Sequence, residues 1–412
     1  MSTQPHESQT AQHMYSPEPQ APAQSAEGNP MFGFTGAVDR ATLVQGLLDG
    51  SIDPRDPSIK SVVLDTGKDV ANHLRVEGTK QVQQHLIKGE TEAIHGILST
   101  LVDPTNGNLM LDSEFGAGKS TLFEGIFNLI EGLDKIAYVP GRPDLTPEEL
   151  TGRQKTMANT RTIPSQVEGE ADQSVVEYLH GVVYAMIDAE TQALVMDEIN
   201  LNNPRTVSAA NSILAKRTME TTRGEHQALK ALEIAVTAKN PRSADPSLAR
   251  LRQSFVDRFS RGVILGRQSE WATTLAAIEA DFEPKPELVL PVITVPMLHV
   301  AQVAVEYVTM EDKAADAARR GSMAVAYALR DKQWAIPVRT TPYRLFSHLR
   351  STARTEALMQ KRTTVQGEDI GHAIRTKVTA VLTGNDMVED YDQVDDVVAG
   401  IASNVRPQDI TV

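Results

Sequence analysis

Ser113-Glu114-Phe115-Gly116-Ala117-Gly118-Lys119-Ser120 sets two glycines, an amine and a hydroxyl within eight positions. Gly116 and Gly118 allow the tight turn that aims successive backbone N–H groups at one point. A helix starting near Lys119 would add its positive end, so the segment suits phosphate. Lys119 would contact the β and γ phosphates of a nucleoside triphosphate, ATP by preference, and Ser120 would offer its hydroxyl to Mg2+. The nucleotide-binding set is therefore Glu114, Phe115, Gly116, Ala117, Gly118, Lys119, Ser120 and Thr121. The pattern G-x-x-x-x-G-K-[ST] is met except at its first position, where Ser113 replaces glycine. Gly-Lys-Ser alone recurs by chance; its place between an apolar run and a helical pattern gives it meaning.

A second constellation lies downstream. Ala193-Leu194-Val195-Met196 is a short apolar run that ends in Asp197-Glu198. Two adjacent carboxylates at a strand end can divide the work: Asp197 holds the magnesium ion and Glu198 polarises the attacking water. Alone, the pair reads equally well as an acidic surface turn, but with the upstream loop it points to a magnesium-dependent nucleotide site.

Strands and helices must position these groups. Asn108–Leu111, Ile136–Val139, Ala193–Met196, Ile234–Thr237 and Val263–Leu265 read as short buried strands, with helical stretches between them, including Thr121 through Leu133. That alternation predicts an α/β fold with a parallel sheet covered on both faces. Beyond Arg267 helical periodicity takes over, in Met297–Tyr307, Ala314–Leu329 and Thr341–Met359. The expected organisation is a disordered tail over 1–30, a helical lead-in over 31–105, a nucleotide-binding domain over 106–268 and a helical lid with C-terminal helices over 269–412.

Composition narrows the partners. The 54 acidic and 40 basic residues among 412 leave a net charge of −14, which repels nucleic-acid phosphates and anionic membranes. Cysteine is absent, so disulfides and thiolate metal sites are excluded. No basic start precedes an apolar run, and the stretch near Ile293–Val305 is too short and too interrupted to span a bilayer. A cytoplasmic protein without membrane insertion is expected.

The sequence resembles the AAA+ ATPases, and within them the MoxR family. Asp197-Glu198-Ile199-Asn200 followed by Pro204 is similar to its D-E-I-N segment, and Gly141 to Gly152 is similar to the stretch after its second strand. The resemblance covers about Val82 to Leu382. It implies the P-loop NTPase (AAA+) fold, a parallel sheet sandwiched by helices and followed by an all-helical lid domain.

By the same resemblance Asn240, in Ala238-Lys239-Asn240-Pro241, orients the attacking water, and Arg258, in Asp257-Arg258-Phe259, is the arginine that reaches a neighbouring subunit's γ phosphate. Arg344 is selected as the nucleotide-contacting arginine of the lid, with Arg339 the competing choice. Three features depart from the family: Ser113 with Phe115, the segment Arg252 to Phe255, and a longer connection from Gln154 to about Glu177 that reads as a surface insertion.

What the resemblance implies about function is ATP hydrolysis by a homo-hexameric ring that remodels a partner protein, one carrying a von Willebrand factor A domain. Two other readings compete: an ATP-driven nucleic-acid motor, which the net charge disfavours, and a non-hydrolysing nucleotide-gated scaffold. Phosphate release separates the scaffold from the rest, and salt-sensitive stimulation by nucleic acid would mark the motor.

Overall fold

In the computed structural model, residues 39–403 are described, except 104–107, 114–116, 134–135, 156–161, 164–172, 175–176, 180, 182, 184–192, 221–225, 229–233, 243–244, 266–281, 330–341 and 389–390. The expected tail at 1–30 therefore lies outside the described residues.

The chain from Arg40 enters four helices, α1 (Arg40–Asp49), α2 (Lys60–His73), α3 (Thr79–His85) and α4 (Thr91–Val102). The alternating region follows as β1 (Asn108–Ser113), α5 (Lys119–Ile126), β2 (Ile136–Val139), α6 (Pro147–Thr151), β3 (Ala193–Met196), α7 (Pro204–Lys216), β4 (Ile234–Lys239), α8 (Gln253–Val256) and β5 (Arg261–Leu265). All five expected strands form. They make one parallel sheet in the order β5-β1-β4-β3-β2.

Strand alternation assigns the two faces of this sheet. Leu109 and Leu111 of β1, Val195 of β3 and Val236 of β4 enter one buried cluster together with Ile97 of α4 and Leu122 of α5. Met110, Leu194, Met196 and Ala235 enter the other, with Val207 and Ile213 of α7. β1, β3, β4 and β5 are buried along their whole lengths, so each carries a mainly apolar run without polar alternation, with polar residues mostly near strand ends.

The C-terminal region consists of α9 (Val295–Tyr307), α10 (Asp312–Ala328), α11 (Pro342–Met359), α12 (Gly367–Gly384) and α13 (Tyr391–Ser403). These helices do not form a core of their own. The lead-in helix α2 packs along α9, where Gly67 leaves room for Ala304, and Arg75 donates from Nε to the Met359 carbonyl at 3.1 Å. Gln302 of α9 donates to the Leu101 carbonyl of α4 at 3.0 Å. Both ends of the chain thus build the helical region, which linear order did not disclose.

One further departure concerns the helix expected from Thr121 to Leu133. It stops at Ile126, becomes a 3-10 turn over Phe127–Leu129, and then Ile130–Glu131 pairs with Ile293–Thr294. Of the insertion, the base is described: Arg153–Lys155 pairs antiparallel with Glu177–Leu179. Among the described residues no helix is long and apolar enough to cross a membrane.

A tight junction holds α12 against β5, the edge strand of the sheet. A Cβ placed on Gly262 of β5 would stand 2.2 Å from the Ala380 nitrogen of α12, a backbone atom that cannot swing aside. Gly262→Ala is therefore expected to cost about 1–3 kcal/mol or more, measured as an earlier denaturant midpoint with an unchanged slope.

Candidate nucleotide site

The carboxyl ends of β1, β3 and β4 lie side by side, because β1 pairs with β4 and β4 with β3. Crevices outside these ends are where open parallel sheets bind ligands. Each of the three strands delivers chemistry at this edge.

From β1 the chain turns through Gly118, which adopts φ 83°, into α5. Such a left-handed φ favours glycine. A Cβ built on Gly118 meets no atom of the described residues within 4 Å, so this position faces open space. The first turn of α5 has no side-chain cap, which leaves its N–H groups for an anion. Lys119, the first residue of α5, is buried; its ammonium donates to the Ser113 carbonyl at 3.1 Å and to Asn240 Oδ1 at 2.5 Å. Burial lowers its pKa, while Asp197, Glu198 and Asp112 pull it back up.

From β3 come Asp197 and Glu198. Asp197 Oδ2 accepts from Ser120 Oγ at 3.2 Å and from the Tyr138 hydroxyl at 2.7 Å, and Asp197 Oδ1 accepts from the Glu198 N–H at 2.9 Å. Glu198 sits in the left-handed region at φ 45°, ψ 44°. A non-glycine residue there stores about 1–3 kcal/mol of strain that its surroundings must hold. The clamp is visible: Gly141 leaves no room for a Cβ beside the Glu198 carbonyl, at 2.2 Å, and Asn240 Nδ2 donates to Glu198 Oε1 at 2.9 Å.

From β4 comes Asn240, whose side chain bridges Lys119 and Glu198. Its backbone is pinned by Asn200, which donates to the Asn240 carbonyl at 2.8 Å and accepts the Asn240 N–H at 3.3 Å. Lys119, Ser120, Asp197, Glu198 and Asn240 thus converge. An ammonium, a hydroxyl, a carboxylate able to hold a hard cation and a second carboxylate beside them form a donor set that fits a triphosphate with Mg2+.

Sequence reading missed three participants. Tyr138 lies on β2 beside β3, and burial followed by its bond to Asp197 pushes its hydroxyl pKa upward, which keeps it a donor. Asn200 belongs to the D-E-I-N run, but its bracing role emerges only in three dimensions. Lys239, which precedes Asn240, is buried between Asp112 at 3.2 Å and Asp386 at 2.6 Å. Burial raises the Asp112 pKa to about 6 despite that ammonium.

The remaining expected residues fall elsewhere. Ala117 and Thr121 flank Gly118 and Ser120, while Glu114, Phe115, Gly116 and Arg339 lie outside the described residues. Arg258 is not beside Lys119. Its carbonyl accepts from Asn108, the first residue of β1, at 3.0 Å, whereas Lys119 follows the far end of that strand. A six-residue strand spans roughly 17 Å, so the two lie at opposite ends of the strands, Lys119 at the carboxyl ends and Arg258 at the amino ends. Arg258 Nε donates to Asn211 Oδ1 of α7 at 3.0 Å. Its pKa is lowered by burial and then by the like charge of Arg344. Arg344 is thus near enough to Arg258 for their charges to act on one another.

Residues 108–259 match the AAA domain of the dynein-related subfamily. That span begins with β1 and closes on the Asp257-Arg258-Phe259 turn. A solved structure of a candidate ATPase from Cytophaga hutchinsonii aligns with a TM-score of 0.57 and 16% identity, over 82% of this chain and 96% of that one. At this identity the likeness is one of fold. No curated protein matches the chain.

Proposed function

We propose that this chain, which carries an AAA+ nucleotide-binding domain, is a Mg2+-dependent ATPase whose active site is completed between subunits of a ring. The observation that carries the reading is the meeting of Lys119, Ser120, Asp197, Glu198 and Asn240 at the carboxyl ends of the strands, with Arg258 at the opposite, amino ends.

In this reading Lys119 and the N–H groups entering α5 bind the phosphates, and Ser120 with Asp197 holds the magnesium ion. The ion supplies charge neutralisation on the phosphate oxygens when bound. Glu198 accepts the proton of the attacking water, and Asn240 keeps Glu198 aimed while holding Lys119 in register. Tyr138 fixes the Asp197 carboxylate. Arg258 and Arg344 serve the nucleotide of the adjacent subunit, which the distance of Arg258 from Lys119 in the same chain supports. A homo-hexamer satisfies this head-to-tail requirement, because a heterologous interface that closes generates a ring.

The MoxR-like segment Asp197 to Asn200 supports assigning the work to remodelling of a partner protein, with a von Willebrand factor A domain as the partner class. The net charge of −14 supports a protein substrate over a nucleic acid.

Phosphate release by the purified chain tests the hydrolytic core. ATP with Mg2+ is expected to yield phosphate at least tenfold faster than with EDTA or in Lys119→Ala. Equal rates in all three would reject the ATPase reading and leave a nucleotide-gated scaffold.

A further inference from the structure

Far from the nucleotide residues, three helices bring two imidazoles and a carboxylate to one point. His95 projects from α4, Glu356 from α11 and His372 from α12, and one ligand atom from each lies within 4.8 Å of the others. His95 Nε2 is 2.5 Å from Glu356 Oε2, and His372 Nε2 is 3.5 Å from Glu356 Oε1. The rings meet edge to face at 5.4 Å.

Hydrogen bonding accounts for only part of this cluster: His95 Nε2 and Glu356 Oε2 share one bond, and the other two facing atoms share none. The Glu356 side chain is 1% exposed, and its Oε1 has no hydrogen-bond partner, nor does the buried His372 Nε2 that faces it. At 3.5 Å the two do not satisfy one another. Leaving both orphaned in a buried site is costly. The nearest cations are already engaged: Arg261 pairs with Asp103, and Arg375 pairs with Glu92 and Asp395.

We propose that His95, Glu356 and His372 bind one divalent transition-metal ion of the zinc class. Two imidazole nitrogens and one carboxylate oxygen form a set that Zn2+ accepts at about 2.0–2.2 Å per ligand, with a further position left for water. Binding requires His95 and Glu356 to part and the three ligand atoms, now within 4.8 Å of one another, to close to within about 4 Å, twice a Zn–ligand distance. The side chains of His95 and His372 are 21% and 31% exposed, so the ion has a path from solvent and a place for that water. Mg2+, which prefers a full shell of oxygens, is a poor match for two imidazoles.

The bound ion would staple α4, the helix that leads into β1, to α11 and α12. It acts on the helical framework and not on the phosphates.

Zn2+ titrated into the chelator-treated full-length chain, in excess Mg2+ and without nucleotide, is expected to bind at one equivalent and to raise Tm by several degrees. Co2+ in its place should give visible absorption bands of a four- or five-coordinate, imidazole-ligated site. His95→Gln/His372→Gln should abolish both signals, and His299→Gln, at a histidine of α9 outside the cluster, should retain them. Absence of saturable Zn2+ binding, or binding retained by the double variant, overturns the site. Should the double variant fail to fold, the Co2+ spectrum of the unaltered chain decides: no imidazole-ligated bands, no site.

Discussion

Glu198→Gln is expected to bind ATP as tightly as the unaltered chain and to hydrolyse it about 10²–10⁴ times more slowly, the usual contribution of a positioned general base. The substitution is well chosen because the amide oxygen of glutamine still accepts from Asn240 Nδ2, as Glu198 Oε1 does now at 2.9 Å. The left-handed backbone at φ 45° is unchanged, as is the Asp197 bond to the Glu198 N–H. Fold and binding are thereby retained while the proton acceptor is lost. Nucleotide affinity measured by fluorescence and turnover measured by phosphate release separate the two. A variant that turns over at the unaltered rate would remove Glu198 from the chemistry. Mixing it with unaltered subunits adds a second readout: in a coupled ring, activity falls faster than the fraction of variant, whereas a linear decline would mean independent subunits.

Legibility in the sequence followed burial and locality. The sheet strands are short apolar runs because both faces of the sheet are covered, and Lys119 and Ser120 stand out because glycine, amine and hydroxyl fall within a few positions. Asp197 and Glu198 were readable as a strand end. Lys239 was not: its partners are Asp112 and Asp386, the latter 147 residues away, and no local pattern distinguishes it from a surface lysine. Tyr138 was hidden for a similar reason, since its value comes from β2 lying next to β3. The helical region misled most. Amphipathic periodicity marks a helix face as buried without saying against what, so the pairing of α2 with α9, and of α4 with α11 and α12, had to come from the fold. Ser113 proved less anomalous than its place in the motif suggested: it ends β1, buried, and it is its carbonyl that meets the Lys119 ammonium. A main-chain acceptor is available from any residue.

Arg258→Ala is expected to lower kcat by about 10³-fold or more, the range seen when a guanidinium that stabilises phosphoryl-transfer charge is removed. The loss should be catalytic and not structural. The turn that carries Arg258 is held through its carbonyl by Asn108, and through Asp257, which accepts from Gln253 at 2.8 Å, so among the described residues the side chain surrenders its bond to Asn211 while the turn keeps its own. Arg258→Lys should not rescue, because an ammonium lacks the planar fork. Position supplies the sharper test. Arg258 and Lys119 lie at opposite ends of β1, so the arginine serves a neighbouring chain or none. Arg258→Ala mixed with Lys119→Ala should then regain activity that neither has alone: the Lys119→Ala subunit lends its arginine to the intact phosphate loop of the Arg258→Ala subunit. Arg344→Ala in the same mixture should behave as Arg258→Ala does, since the charges of the two guanidinium groups act on one another. Mixtures no more active than their components, or an Arg258→Ala rate equal to the unaltered one at every concentration, would confine the chemistry to single subunits and remove the reason for a ring.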